Sequence, residues 1–170
     1  MAKVIPGRFA ARMDGSFVVF IIGMRVNRLF AFQKWVPVVK AMGPMINELY
    51  NNPETGFLST EFFFNWRGIT LVQYWKSYEH LEKYSRGGIH LTAWKKFNQS
   101  IGTEGTVGIY HESYIIESGK YESIYGNMPK FGLAKAGEHV SATGKMETAR
   151  KRLGGDNVPA VPTPDNPQSN

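Results

Sequence analysis

The chain of 170 residues is 42% hydrophobic, 14% aromatic and 20% charged, with no cysteine. That balance belongs to one compact globular domain, since disorder would come with far fewer aromatics. The missing thiols exclude cysteine nucleophiles, Cys-ligated zinc, iron–sulfur clusters and a disulfide scaffold. A formal charge of +6 is spread along the sequence, with its densest group at Arg150-Lys151-Arg152. It reads as a solubility feature, and nucleic acid is not expected as a partner.

Lys3, Arg8 and Arg12 ahead of the apolar run Phe17 to Met24 imitate a secretory signal, but Asp14 interrupts the approach and Arg25 stands where a small-residue cleavage site should fall. The run is also far shorter than the roughly 20 residues that span a bilayer. A cytoplasmic protein with no membrane partner is therefore expected. Ser16 to Val26 is β-branched and aromatic on both alternating faces, which predicts a strand covered on both sides. From Arg28 to Asn52, apolar residues recur at spacings of three and four, predicting a helix that Pro37 and Gly43-Pro44 should kink or divide. Phe57 to Trp66 and Ile69 to Trp75 are aromatic-rich runs around Arg67-Gly68 and read as a hairpin. Ser77 should cap the next helix, which Gly87-Gly88 ends. Ile89 to Ile101 is helical again, with His90, Ala93, Trp94 and Phe97 on one side. Thr106 to Glu117 alternates cleanly as a fourth strand, placing Val107, Ile109, His111, Ser113 and Ile115 on one face.

The expected folded region is residues 1–153, whose part from about Tyr121 lacks clear periodicity. Residues 154–170, with Pro159, Pro162, Pro164 and Pro167 among Asn, Gln and Ser, read as a disordered tail. The order β-α-β-β-α-β defines an α+β, ferredoxin-like sheet with two helices on one face. An apolar second face then calls for a cover, and a second copy meets that need as a two-fold homodimer.

The stretch Val72-Gln73-Tyr74-Trp75-Lys76-Ser77 with Glu79, Leu81, Tyr84 and His90 resembles a signature of the antibiotic-biosynthesis-monooxygenase superfamily. Further blocks are similar to the subfamily related to the monooxygenase of fungal fumagillin biosynthesis: Ile5-Pro6-Gly7-Arg8, Phe20 to Arg25, Glu48-Leu49-Tyr50, Gly56-Phe57-Leu58, Thr106 to Glu112, Asn127-Met128-Pro129 and Phe131-Gly132-Leu133. The resemblance implies a dimeric α+β barrel and oxidative chemistry on a hydrophobic small molecule. Superfamily members also include haem-degrading enzymes, haem-dependent dehydratases, isomerases and proteins of no known reaction, so fold alone does not fix the chemistry.

Among the residues themselves, His111 sits on an apolar face, where a desolvated imidazole serves as a base or a ligand, or as a core histidine satisfied by the backbone. His90 opens its helix at a position where the superfamily often has a histidine near the substrate, or it bonds a free backbone group there. Trp94 lies one helical turn on, as pocket lining or as core. Glu61, in the aromatic strand, either faces solvent or orients a histidine. Arg25 can pair with Glu61 or with a substrate carboxylate, and Asn65 either contacts substrate or closes the hairpin. His80 and His139 are expected at the surface. Gly102, Gly105 and Gly108 precede a strand rather than a helix and form no dinucleotide fingerprint, and no histidine pair has metal-ligand spacing. A reaction without a prosthetic group is favoured, with His111 as base, Glu61 as its partner, and His90, Trp94, Arg25 and Asn65 as substrate contacts. Haem on His111 or His90 is the other route.

Overall fold

A computed structural model describes residues 2–101 and 104–156, apart from the side chains of Ile89, Lys96, Gln99, Ser100 and Ile101. The expected tail beyond 156, Gly102, and the side chain of Lys96 lie outside the described residues. In chain order the elements are β1 (Ile5–Arg12), β2 (Phe17–Val26), α1 (Phe32–Asn51), β3 (Phe57–Asn65), β4 (Gly68–Trp75), α2 (Tyr78–Ser85), α3 (Gly88–Ile101), β5 (Val107–Ile116), β6 (Tyr125–Met128), α4 (Leu133–Ala136), β7 (Glu138–Ser141) and α5 (Ala149–Arg152). They form two compact units, one running from Val18 to Ile115 and the other made of the two ends of the chain. None of the described helices is long and apolar enough to cross a membrane.

The central unit has the sheet order β3-β4-β2-β5, with β4 antiparallel to both β2 and β3. This is the βαββαβ arrangement that the periodicities predict, with the second crossover broken into α2 and α3. Val18 faces Trp75, Phe20 faces Gln73, Ile22 faces Leu71 and Met24 faces Ile69 across the β2–β4 ladder. Because side chains alternate, these rungs share one side of the sheet. All three helices pack there: Val18, Phe57 and Trp75 gather with Ile46 and Leu49 of α1 and Leu81 and Tyr84 of α2, while Met24, Val26 and Val107 gather with Trp35, Val38 and Val39 of α1 and Phe97 of α3. The other side carries Val19, Ile21, Val72, Tyr74 and Phe63.

α1 runs undivided through Pro37 and Pro44. Both prolines are exposed, as are Gln33 and Lys40, whose carbonyls lose their partners. Water can take the freed bonds on that side, so the helix is not forced to end. Ser77 caps α2 as expected, its hydroxyl accepting from the His80 N–H at 3.4 Å. The turn between β3 and β4 is Trp66-Arg67, with Asn65 paired to Gly68.

The terminal unit contains a sheet that the sequence pattern did not announce, β6-β1-β7, antiparallel throughout. β1 (IPGRFAAR) holds a proline, a glycine and two alanines, and so lacks strand character of its own. Its small residues are what the packing requires: Ala10, Ala11, Leu133, Ala134 and Ala142 are all buried. Gly7, at φ 103, lies where the β1–β6 register shifts, and its N–H donates to Asn127 Oδ1 at 2.9 Å.

Candidate active site on the helix side of the sheet

Four strands contribute one rung to the middle of the helix side. Thr60 of β3 faces Gln73 of β4, Gln73 faces Phe20 of β2, and the His111 ring of β5 lies 5.7 Å from that of Phe20. Thr60 and Gln73 are buried. The indole of fully buried Trp75 donates from Nε1 to Gln73 Oε1 at 3.1 Å. That bond fixes which end of the amide is oxygen and leaves the amide nitrogen as a donor beside Phe20.

His111 keeps the face that alternation gives it but is exposed rather than enclosed. β5 is an edge strand of its sheet, which leaves the middle of the strand open. Its imidazole makes no hydrogen bond to the described residues, so both nitrogens are available to a bound molecule.

A second polar group lies among the helices. The Tyr84 ring is 5.6 Å from Trp75, and its hydroxyl donates to Glu48 Oε2 at 3.1 Å. Burial, reinforced by the neighbouring Glu48 carboxylate, pushes the phenol well above its ordinary range, so it stays protonated and acts as a donor. His90 lies 5.5 Å from Tyr84, ring to ring, with Nδ1 2.9 Å from the Ser85 carbonyl. A carbonyl only accepts, so Nδ1 carries the hydrogen, and Nε2 of the neutral ring holds a free lone pair.

The remaining candidates separate. Trp94, one turn from His90, turns to Phe97 instead, with ring centroids 5.6 Å apart and planes at 22°. Glu61 faces Val72 and so lies on the side of the sheet away from His111, which it does not orient within one chain. Arg25 stands opposite Gly68, four positions along β4 from the partner of Glu61, and its Nε donates to Asn27 Oδ1 at 3.1 Å. Asn65 closes the hairpin by accepting the Arg67 N–H at 3.0 Å.

Neither of the other two histidines is the surface residue expected. His80 is partly buried, with Nδ1 2.9 Å from Ser77 Oγ, and covers Gly56. His139 is partly buried and stacks on Phe9 at 4.3 Å. Sequence reasoning overlooked Gln73 as a site residue, although a lone amide between Leu71 and Trp75 on an apolar strand face was the available signal. Among the described residues no three His, Asp or Glu side chains converge to hold a metal.

Fold and site together describe a ferredoxin-like α+β protein with an aromatic surface on its helix side and a few placed polar groups. The model of the family "Monooxygenase af470-like" matches residues 17–133, and the chain belongs to that family. The protein named monooxygenase af470, from Aspergillus fumigatus, is 31% identical over 150 residues, covering 75% of this chain; the chain spans 53% of that relative's length. The crystal structure of an aldoxime dehydratase, OxdRE, in complex with butyraldoxime superposes with a TM-score of 0.66 at 17% identity, covering 81% of this chain and 42% of the other. A second aldoxime dehydratase gives 0.65 at 17% identity, covering 84% and 45%. At that identity the likeness is one of fold.

Proposed function

We propose that this chain is a cytoplasmic, monooxygenase-like oxidoreductase that binds a hydrophobic, conjugated small molecule on the helix side of its sheet and oxidises it without a prosthetic group, as a homodimer. Membership of the monooxygenase family supports the reaction class. The observation that carries the site is the rung itself, an unengaged imidazole and a fixed amide on either side of Phe20.

His111 is the base. A phenol deprotonated there becomes electron-rich enough to reduce dioxygen itself, and conversion of a phenol to a quinone takes up one oxygen atom and releases the other as water. The substrate is thus its own reductant. The Gln73 amide N–H faces the oxygen on which negative charge develops, and stabilisation of such charge in an apolar surround is worth more than in water. His90 contacts the ligand at the helices through its free Nε2, and Trp94, stacked with Phe97, extends the aromatic surface one turn on.

A second reading rests on His90. An imidazole whose Nδ1–H is held by a backbone carbonyl presents Nε2 as histidine ligands of metals do. His90, or His111 with its free nitrogens, would hold a haem, which supplies one-electron and oxygen chemistry when bound. A stoichiometric Soret band in protein expressed with haem, lost in His90→Ala, decides for that reading.

Oxygen uptake with phenols, quinols and polyenes tests the first. Wild-type protein should consume oxygen, and His111→Ala should lower the rate by about 100-fold or more while its circular dichroism is unchanged. Saturable ligand binding with no oxygen uptake would instead define a hydrophobic-ligand carrier.

A further inference from the structure

Three aromatic side chains at one end of the central sheet have no packing role. Phe30, in the loop after β2, is 91% exposed, Trp66 in the β3–β4 turn is 84% exposed, and Phe64 beside it is 77% exposed. The two connections are fastened together: the Val26 N–H donates to the Arg67 carbonyl at 2.6 Å, and Arg67 Nη1 donates to the Asn27 carbonyl at 3.1 Å. The aromatics therefore project from one rigid tip rather than from separate mobile loops.

Arg25, Arg28 and Arg67 surround them. None of the three has a carboxylate partner among the described residues, and Glu104, in the turn leading to β5, faces Lys34 at 3.9 Å. We infer that this tip docks on the surface of an anionic lipid bilayer, Phe30, Phe64 and Trp66 entering the headgroup boundary while the three arginines meet lipid phosphates and carboxylates.

The composition is the one that seats peripheral proteins at interfaces, where amphipathic rings sit at headgroup level and basic residues add attraction to anionic lipid. A second copy fits the tip less well. A two-fold contact there would bring the arginines of both chains together. Such docking is binding to a surface and not passage through it, and it needs none of the proposed chemistry.

Co-sedimentation of the full chain with vesicles reads the interaction without any turnover. Wild-type protein should sediment with phosphatidylcholine vesicles containing about 30% phosphatidylserine and far less with phosphatidylcholine alone, and raised salt should weaken the binding. Partitioning should drop by about tenfold or more in the double variant Phe30→Ser, Trp66→Ser, whose sites are exposed and whose circular dichroism should match wild type. Arg28→Gln should lower it by about fivefold. Equal sedimentation of the double variant, or no preference for anionic vesicles, would overturn the inference. So would light scattering in which the double variant turns a dimer into a monomer, since the tip would then be a contact between copies.

Discussion

His139 combines two features that tie folding to pH. Its ring stacks on Phe9 at 4.3 Å, and its Nε2 is buried with no hydrogen-bond partner among the described residues. Burial, aided by the positive charge of Lys130, holds its pKa below the ordinary 6.5 of histidine. The unfolded chain thus binds this proton more readily than the folded one. Stability should be level above about pH 7 and decline as pH falls through the ordinary histidine range toward the lower folded value. His139→Phe keeps the stacked ring and removes the unpartnered nitrogen. Urea denaturation of both proteins at neutral and mildly acidic pH should show the variant more stable by about 1 kcal/mol, with a shallower acid decline. A variant that loses stability in parallel with wild type would assign the acid sensitivity to other groups. Little of this was visible in the sequence, because His139 and Val140 acquire their burial from β1, about 130 residues earlier in the chain, and no local pattern encodes that pairing.

Elements with a strong period of their own were legible, and those made by tertiary pairing were not. β2, the β3–β4 hairpin, α2, α3 and β5 follow from alternation, capping and helical spacing, whereas β1, β6 and β7 do not. The candidate site divides similarly: alternation placed His111 on its face, but separating Glu61 from it required the register of β3 against β4. Gly68 shows how tightly the hairpin depends on one residue. A Cβ there would lie 1.9 Å from the Met24 carbonyl oxygen of β2, and a backbone atom cannot swing aside. Gly68→Ala should cost about 2 kcal/mol or more, seen as a lower denaturation midpoint, with an unchanged midpoint telling against the close approach. α1 gives the opposite expectation. Pro37 and Pro44 each delete a helix hydrogen bond and are exposed. Replacing Pro44 by alanine should raise the thermal midpoint, by up to about 3 kcal/mol in stability, because proline is that much poorer than alanine in a helix interior. A lower midpoint would mean that the proline shape is needed for packing.

At the scale of the whole molecule, the side of the central sheet away from its helices is where the proposed homodimer would form. Val19 and Ile21 of β2, Val72 and Tyr74 of β4 and Phe63 of β3 share that side. Tyr110 of β5 lies over Gly23, where a Cβ would come within 2.4 Å of its ring, and its hydroxyl is 2.6 Å from Thr70 Oγ1. That bond pins the tyrosine across β2. An apolar sheet face of this kind packs best against another sheet, and in a homodimer each face residue near the axis is presented twice. Ile21 is central in the β2–β4 ladder, opposite Val72. In Ile21→Arg, two arginines would enter the same apolar layer with no carboxylate supplied by the change, and burying such unpaired charges costs several kcal/mol. Light scattering should therefore give a dimeric mass for wild type and a monomeric mass for Ile21→Arg at the same micromolar concentration, with helix content retained by circular dichroism. A wild-type monomer, or a variant that stays dimeric, would rule out assembly through this face.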